Sequence, residues 1–145
     1  MTTDPLKQRI LDEEHLRLLS MFHYISGALT ILFSSIFVIH LAILGFLMAS
    51  PELLGPVPSK GPSPESVLSV LFTIVAVFVA LGIAYGIAQI VSGRFLAKHR
   101  YRTFSLIVAI PNVLLIPYGT ILGVLTLVVV GRESVKHLYA EPSRA

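Results

Sequence analysis

Three stretches of this 145-residue chain contain no Asp, Glu, Lys or Arg: residues 18–51, 66–93 and 103–131. Each is rich in Leu, Ile, Val, Phe and Ala, and each exceeds the roughly 20 residues that a helix needs to cross a hydrocarbon core. A soluble protein of this length would leave much of that apolar surface in water. The sequence therefore predicts an all-α integral membrane protein in which nearly the whole chain forms one membrane domain.

Composition narrows the possible functions. Only 13% of the residues are charged and cysteine is absent, which excludes disulfides, thiolate metal sites and cysteine nucleophiles. No catalytic, cofactor or pore motif is present, so we expect a non-enzymatic protein without a cofactor or a bound metal. The basic residues stand beside the ends of the apolar stretches. Anionic lipid headgroups are therefore more natural partners for them than nucleic acid.

The first two spans are clear in the sequence. Residues 21–48 form one apolar run and residues 66–92 form another, and the five prolines within 49–65 predict a loop between them. Ser63-Pro64-Glu65 is typical of a helix start, with a capping hydroxyl, a proline in the first turn and a carboxylate at the positive helix end.

The third stretch, 103–131, allows three interpretations. It can form two spans that turn at 117–120, a re-entrant hairpin, or one span kinked at its prolines. Two spans place ten of the eleven basic residues on one side of the membrane, with only Lys60 opposite. The positive-inside rule therefore favours four spans with both termini in the cytoplasm.

The resulting fold is a compact bundle of four transmembrane helices with interfacial helical extensions at both ends. Its predicted segments are an amphipathic N-terminal segment (1–20), TM1 (21–48), a Pro-rich outer loop (49–65), TM2 (66–92), a basic cytoplasmic loop (93–101), TM3 (102–116), a tight outer turn (117–120) and TM4 (121–139).

Small residues at a spacing of four predict close helix packing, because lipid tails are as apolar as leucine and helices in a membrane associate by close approach. Gly82 with Gly86 and Gly119 with Gly123 form two such pairs, and Gly45 belongs to a weaker one. We expect these glycines to contact other helices of the same chain, with a dimer face as the alternative.

Polar residues inside the predicted spans are the candidates for function, since polar groups are costly in lipid. They are Ser34, Ser35, His40, Gln89 and Asn112. His40 can hydrogen-bond across helices or, as a weaker alternative, bind haem or a metal ion. Haem with two axial histidines needs a second histidine at similar depth, and the later spans offer none.

Three motifs resemble a group of small, uncharacterised bacterial multi-pass membrane proteins. They are His15-Leu-Arg-Leu-Leu-Ser-Met-Phe-His-Tyr24, Gly93-Arg-Phe-Leu-Ala97, and Pro117-Tyr-Gly-Thr-Ile-Leu-Gly-Val124 leading to Ser134-Val-Lys136. The resemblance covers nearly the whole chain. It implies four helices in a bacterial inner membrane and brings no activity or site with it.

These observations predict a small accessory, assembly or structural subunit that acts through helix contacts with lipids, with other membrane proteins or with itself. The alternative is a small oligomeric channel or transporter whose path is lined by the five polar residues named above.

Overall fold

The computed structural model describes residues 4–55, 61–114 and 118–140. Within them the chain is all-helical, as predicted, and contains no strand. The α-helices are α1 (Pro5–Ala49), α2 (Pro64–Ala97), α3 (Arg102–Leu114), α4 (Tyr118–Gly131) and α5 (Glu133–Ala140), and a short 3₁₀ helix (Pro51–Leu54) follows α1.

The two long helices begin at capping residues. The Asp4 carboxylate accepts a hydrogen bond from the Leu6 amide at 3.1 Å, and Pro5 opens α1. The Ser63 hydroxyl accepts one from the Ser66 amide at 3.3 Å at the start of α2, as the sequence predicts. In both cases a side chain satisfies an amide that has no partner within the helix.

Helix α1 is continuous over 45 residues, a length of about 67 Å. The predicted N-terminal segment 1–20 is therefore not a separate helix, because residues 5–20 belong to the same helix as the first apolar run. The reason is packing: Leu16 and Leu19 lie in the protein core, and the buried Asp12 pairs with Arg132 at 3.5 Å. These contacts fix residues 12–19 of α1 in the core.

Helix α2 extends through Ala97, five residues beyond the predicted span, so the basic loop before α3 shrinks to residues 98–101. Helices α3 and α4 form an antiparallel hairpin in which the Thr120 hydroxyl donates to the Val113 carbonyl at 2.8 Å. Residues 103–131 are therefore not one kinked span. The predicted turn at 117–120 falls partly outside the described residues, and residues 118–120 form the first turn of α4.

The predicted fourth span, 121–139, is interrupted. Helix α4 ends at Gly131, Arg132 leaves the helix to pair with Asp12, and α5 starts at Glu133. Helix α5 then turns Val135 and Leu138 into the core.

The chain divides into two compact units. We call Leu29–Gly86 the hairpin unit, because it contains the second half of α1 and the first part of α2. We call Met1–Ala28 together with Ile87–Ala145 the bundle unit. It contains the start of α1, the end of α2, and α3 to α5.

Helices α1 and α2 are both long and apolar enough to cross a membrane, and only 6% of the most apolar stretch of each is buried within the protein. Helices α3 and α4 are apolar but have only 13 and 14 residues, or about 20 Å.

Candidate functional site

In the hairpin unit, small residues and aromatic rings form the contacts between α1 and α2. A side-chain carbon at Gly82 would overlap the Ser34 hydroxyl, so the backbones of α1 and α2 approach closely there. The rings of Phe37 and Phe78 meet edge to face with centroids 5.8 Å apart. A carbon at Gly45 would lie at an ordinary contact distance of 3.8 Å from the Phe72 ring.

Two polar candidates in this unit do not enter its interior. The exposed Ser35 hydroxyl donates to the Ile31 carbonyl of its own helix at 2.8 Å. The exposed His40 ring lies against Phe37 with centroids 5.4 Å apart. Of the three candidates in the hairpin unit, only Ser34 is buried.

The bundle unit has a polar interior, and hydrogen bonds link its helices pair by pair. The Ser20 hydroxyl of α1 donates to the Gly93 carbonyl of α2 at 2.7 Å. The Arg102 guanidinium of α3 donates to the Val130 carbonyl of α4 at 2.8 Å. Arg132, directly after α4, pairs with Asp12 of α1.

Two buried side chains link α2 to α3 in this interior. The Gln89 side-chain amide donates to the Asn112 side-chain oxygen at 3.0 Å, and both residues are fully buried. Two of the five predicted polar candidates therefore meet. Together with the bonds from Ser20, Arg102 and Arg132, this pair closes a ring of contacts through α1, α2, α3 and α4.

Several fully buried side chains of the bundle unit keep a polar atom without a hydrogen-bond partner among the described residues, including Asp12 Oδ2, His23 Nε2, Gln89 Oε1, Ser92 Oγ and Ser105 Oγ. The other ring nitrogen of His23 donates to the Leu19 carbonyl at 3.0 Å. Proteins usually satisfy such buried atoms with ordered water or a polar ligand.

Sequence reasoning missed Ser20, His23, Ser92 and Ser105. His23 is fully buried although it lies close in sequence to the charged residue Arg17. A signal was available, since Leu16, Ser20 and His23 recur at helical spacing on one face of α1.

The remaining predicted packing glycines also lie inside the protein. Gly86, Gly119 and Gly123 are buried. A carbon at Gly123 would lie 2.7 Å from the Val113 nitrogen and 2.8 Å from the Ala109 oxygen, so α4 touches the α3 backbone at this point. Gly82 and Gly123 thus contact helices of the same chain, which leaves those two positions unable to serve as a dimer face.

Two titratable groups of α5 depart from their usual behaviour. Burial raises the pKa of Tyr139 to about 12. The hydrogen bond from Lys136 and its positive charge lower the pKa of the exposed Glu133. The Tyr139 ring meets His99 edge to face at 6.1 Å.

Within the described ranges, no three His, Asp or Glu side chains gather as a metal site would need. His40 is a single imidazole beside a phenylalanine, and its possible haem or metal role stays a prediction.

Comparison of the chain with family models, curated proteins and solved structures finds no match. The arguments below therefore depend on the residues themselves.

Proposed function

We propose that this chain is an integral membrane protein in which α1 and α2 cross the bilayer. The observation that carries the proposal is the exposure of the long apolar helices. Phe33, Phe46 and Leu81 are each more than 60% exposed within stretches that contain no charge. The core helix of a soluble protein buries such side chains, whereas lipid tails cover them in a membrane.

The length of the α3–α4 hairpin favours the re-entrant alternative over four full spans. Arg102 contacts Val130, so the charged ends of both helices lie at the same end of the hairpin. Helices of about 20 Å fall short of a hydrocarbon core of about 30 Å, and 10 to 14 apolar residues are typical of segments that enter without crossing. Either arrangement returns the chain to its basic side and agrees with the positive-inside rule.

Because the chain contains no cysteine, single cysteines can test this topology directly. Leu114→Cys places a thiol at the last residue of α3, Glu52→Cys places one after α1, and Lys98→Cys places one between α2 and α3. A membrane-impermeant maleimide added to intact cells should label Glu52→Cys and none of the others. Labelling of Leu114→Cys from outside would establish four full spans instead.

We further propose that the protein acts as a small accessory or assembly subunit of a larger complex in a bacterial inner membrane. Support comes from a difference between the two units in which side chains they bury and which they expose. The bundle unit uses its polar and small residues internally, whereas both helices of the hairpin unit leave apolar faces for lipid or another membrane protein. The described residues offer no cluster of nucleophile, base and orienting group that argues for catalysis.

The test is purification from the native membrane in a mild detergent, with partners identified by mass spectrometry. A stoichiometric larger complex is expected. The visible spectrum of the same sample tests the haem alternative at His40, which predicts a coloured protein. A lone species in several mild detergents would contradict the subunit proposal.

One observation favours transport as a second candidate function. Gln89 and Asn112 are buried together, and the partnerless atoms of His23, Ser92 and Ser105 belong to the same unit. A path through this interior predicts solute or ion flux in proteoliposomes that falls when Gln89 and Asn112 are both changed to Leu. The double change removes both polar groups, so neither is left unpaired. The variant Ser35→Ala is the control, and flux that responds equally to both variants would count against the path.

A further inference from the structure

The turn between α2 and α3 has an unusual backbone. The Arg100 amide donates to the Phe95 carbonyl at 2.9 Å and the His99 amide to the Leu96 carbonyl at 3.3 Å, which is the Schellman pattern of a helix end. His99 occupies the left-handed position, with φ of 49°, where glycine is usual. Tyr101 is also left-handed, with φ of 51°.

Ring contacts hold these strained residues in place. Tyr101 packs on Phe95 with centroids 4.7 Å apart, and the Arg100 guanidinium lies 5.4 Å from the Tyr101 ring centroid. His99 contacts Tyr139. Strain of this kind persists where the surroundings fix it, and it marks positions worth testing for function.

The turn displays positive charge that is not neutralised. Arg94, Lys98 and Arg100 are exposed, and none forms an ion pair with a residue in the described parts of the chain. Arg102 differs, because its guanidinium bonds the Val130 carbonyl. We call Arg94, Lys98, Arg100 and Tyr101 the basic turn.

The position of the basic turn, directly after an apolar stretch, indicates which kind of anion lies near it. The charge-free stretch 66–93 ends directly before Arg94, so on the proposed topology these cations stand at the membrane surface. Tyr101 is 61% exposed, and an exposed tyrosine beside basic residues is typical of the headgroup layer. Guanidinium and ammonium groups there are attracted to lipid phosphates.

We propose that the basic turn binds the phosphate of an anionic phospholipid headgroup. Lys98 and Arg100 are exposed beside the left-handed residues His99 and Tyr101, and on this proposal the Tyr101 ring lies at the boundary between headgroups and acyl chains. This inference rests on the proposed membrane location and adds a site to it.

The absence of tryptophan allows a direct test. Tyr101→Trp introduces a single fluorophore at the site, and Leu81→Trp introduces one on the exposed apolar face of the hairpin unit. Each variant is reconstituted into vesicles of phosphatidylcholine with increasing phosphatidylglycerol, and one lipid at a time carries brominated acyl chains that quench the indole. The ratio of quenching by the two lipids gives the preference for the anionic headgroup at that position.

At Tyr101→Trp we expect phosphatidylglycerol to be preferred by about fivefold for each basic residue that engages the phosphate. Adding Lys98→Gln and Arg100→Gln should bring the ratio close to one. The charge-matched control, Lys7→Gln with Arg9→Gln, should leave the preference in place. At Leu81→Trp both lipids should quench equally.

The outcomes separate the two proposals. Equal quenching by both lipids at Tyr101→Trp overturns the headgroup site and leaves the membrane location intact. No quenching by either lipid at both positions overturns the membrane location itself. Loss of the preference on adding inorganic phosphate would show a site for free anion and overturn the lipid assignment.

Native mass spectrometry of the unaltered chain gives a second test whose result does not depend on how the tryptophan variants fold. It should retain more phosphatidylglycerol than phosphatidylcholine, and Lys98→Gln with Arg100→Gln should abolish that excess. Equal retention of the two lipids by the unaltered chain contradicts the proposal.

Discussion

The two units are stabilised in different ways. Among the described residues, Val79 is the buried apolar side chain of the hairpin unit, and all the other buried apolar side chains lie in the bundle unit. The same holds for polar burial: Ser34 is buried in the hairpin unit, whereas the bundle unit buries Gln89, Asn112 and several hydroxyls. The bundle unit therefore has its own core and hydrogen-bond ring, while the hairpin unit depends on what surrounds it.

This comparison explains why the buried polar side chains are concentrated in the bundle unit. Interhelical hydrogen bonds stabilise helix contacts that apolar packing alone does not define in lipid. Bonds from α1 to α2, α2 to α3 and α3 to α4 fix the bundle unit at several points. The hairpin unit exposes many large apolar side chains, which suits lateral contact with lipid or a partner helix.

The largest expected contrast comes from matched glycine substitutions. Gly123→Ala places a carbon against the α3 backbone and should destabilise the bundle unit by about 1–3 kcal/mol, because neither helix can yield there without shifting. Gly45→Ala meets only an ordinary contact with Phe72 and should be neutral or stabilising by up to about 1 kcal/mol through better helix propensity.

Local hydrogen exchange in detergent measures both effects. Gly123→Ala should speed exchange in α3 and α4 and leave residues 64–81 of α2 unchanged. Equal changes in exchange in the two units, or faster exchange in the Gly45→Ala variant, would contradict the inferred difference in how the two units are stabilised.

A smaller effect is expected from the polar pair. Gln89→Leu removes the buried hydrogen bond to Asn112, which should destabilise the bundle unit by about 0.6–2 kcal/mol. Ser35→Ala removes an exposed hydroxyl that bonds its own helix and should change stability by less than about 0.5 kcal/mol.

A double-mutant cycle sharpens this prediction. Asn112→Leu in the Gln89→Leu background should cost less than Asn112→Leu alone, because the two side chains interact directly. Additive effects, measured by thermal unfolding in detergent, would mean that the bond contributes nothing to helix association.

The features predictable from sequence are the local ones. The all-α class follows from long charge-free runs, and the start of α2 follows from Ser63-Pro64-Glu65, because capping depends on neighbours in the chain. The sequence also indicated that Gln89 and Asn112 are unusual, since each is polar within an apolar run. Their contact with each other was not predictable.

Features that depend on which helix faces meet were missed. His23 lies near the charged Arg17 in sequence, yet α2 packs beside it: a carbon at Gly93 would lie 3.3 Å from the His23 Cβ. The break at Arg132 has the same origin, because it depends on a partner, Asp12, that is 120 residues away. The helical spacing of Leu16, Ser20 and His23 indicates which face of α1 is buried, but local sequence pattern does not identify the partner in either contact.

The smallest expected effect is a pH dependence of stability in the bundle unit alone. The Tyr139 hydroxyl loses its proton with a pKa near 10.0 when unfolded, and burial raises that value to about 12 in the folded protein. Between these values the unfolded state binds fewer protons than the folded state. Stability contributed by the neutral phenol is therefore fully present below pH 10 and declines as the pH rises toward 12.

Tyr139→Phe isolates this contribution, because the substitution removes the titrating group and keeps the ring against His99. Hydrogen exchange of α5 and α1 residues 12–19 should accelerate between pH 10 and 12 in the unaltered chain, after correction for the intrinsic rate, and accelerate less in Tyr139→Phe. Exchange in residues 64–81 should show no difference between the two proteins, since Tyr139 belongs to the bundle unit. An identical pH response of the two proteins in α5 would mean that the phenol remains in contact with water, and that α5 is docked less firmly than Val135 and Leu138 indicate.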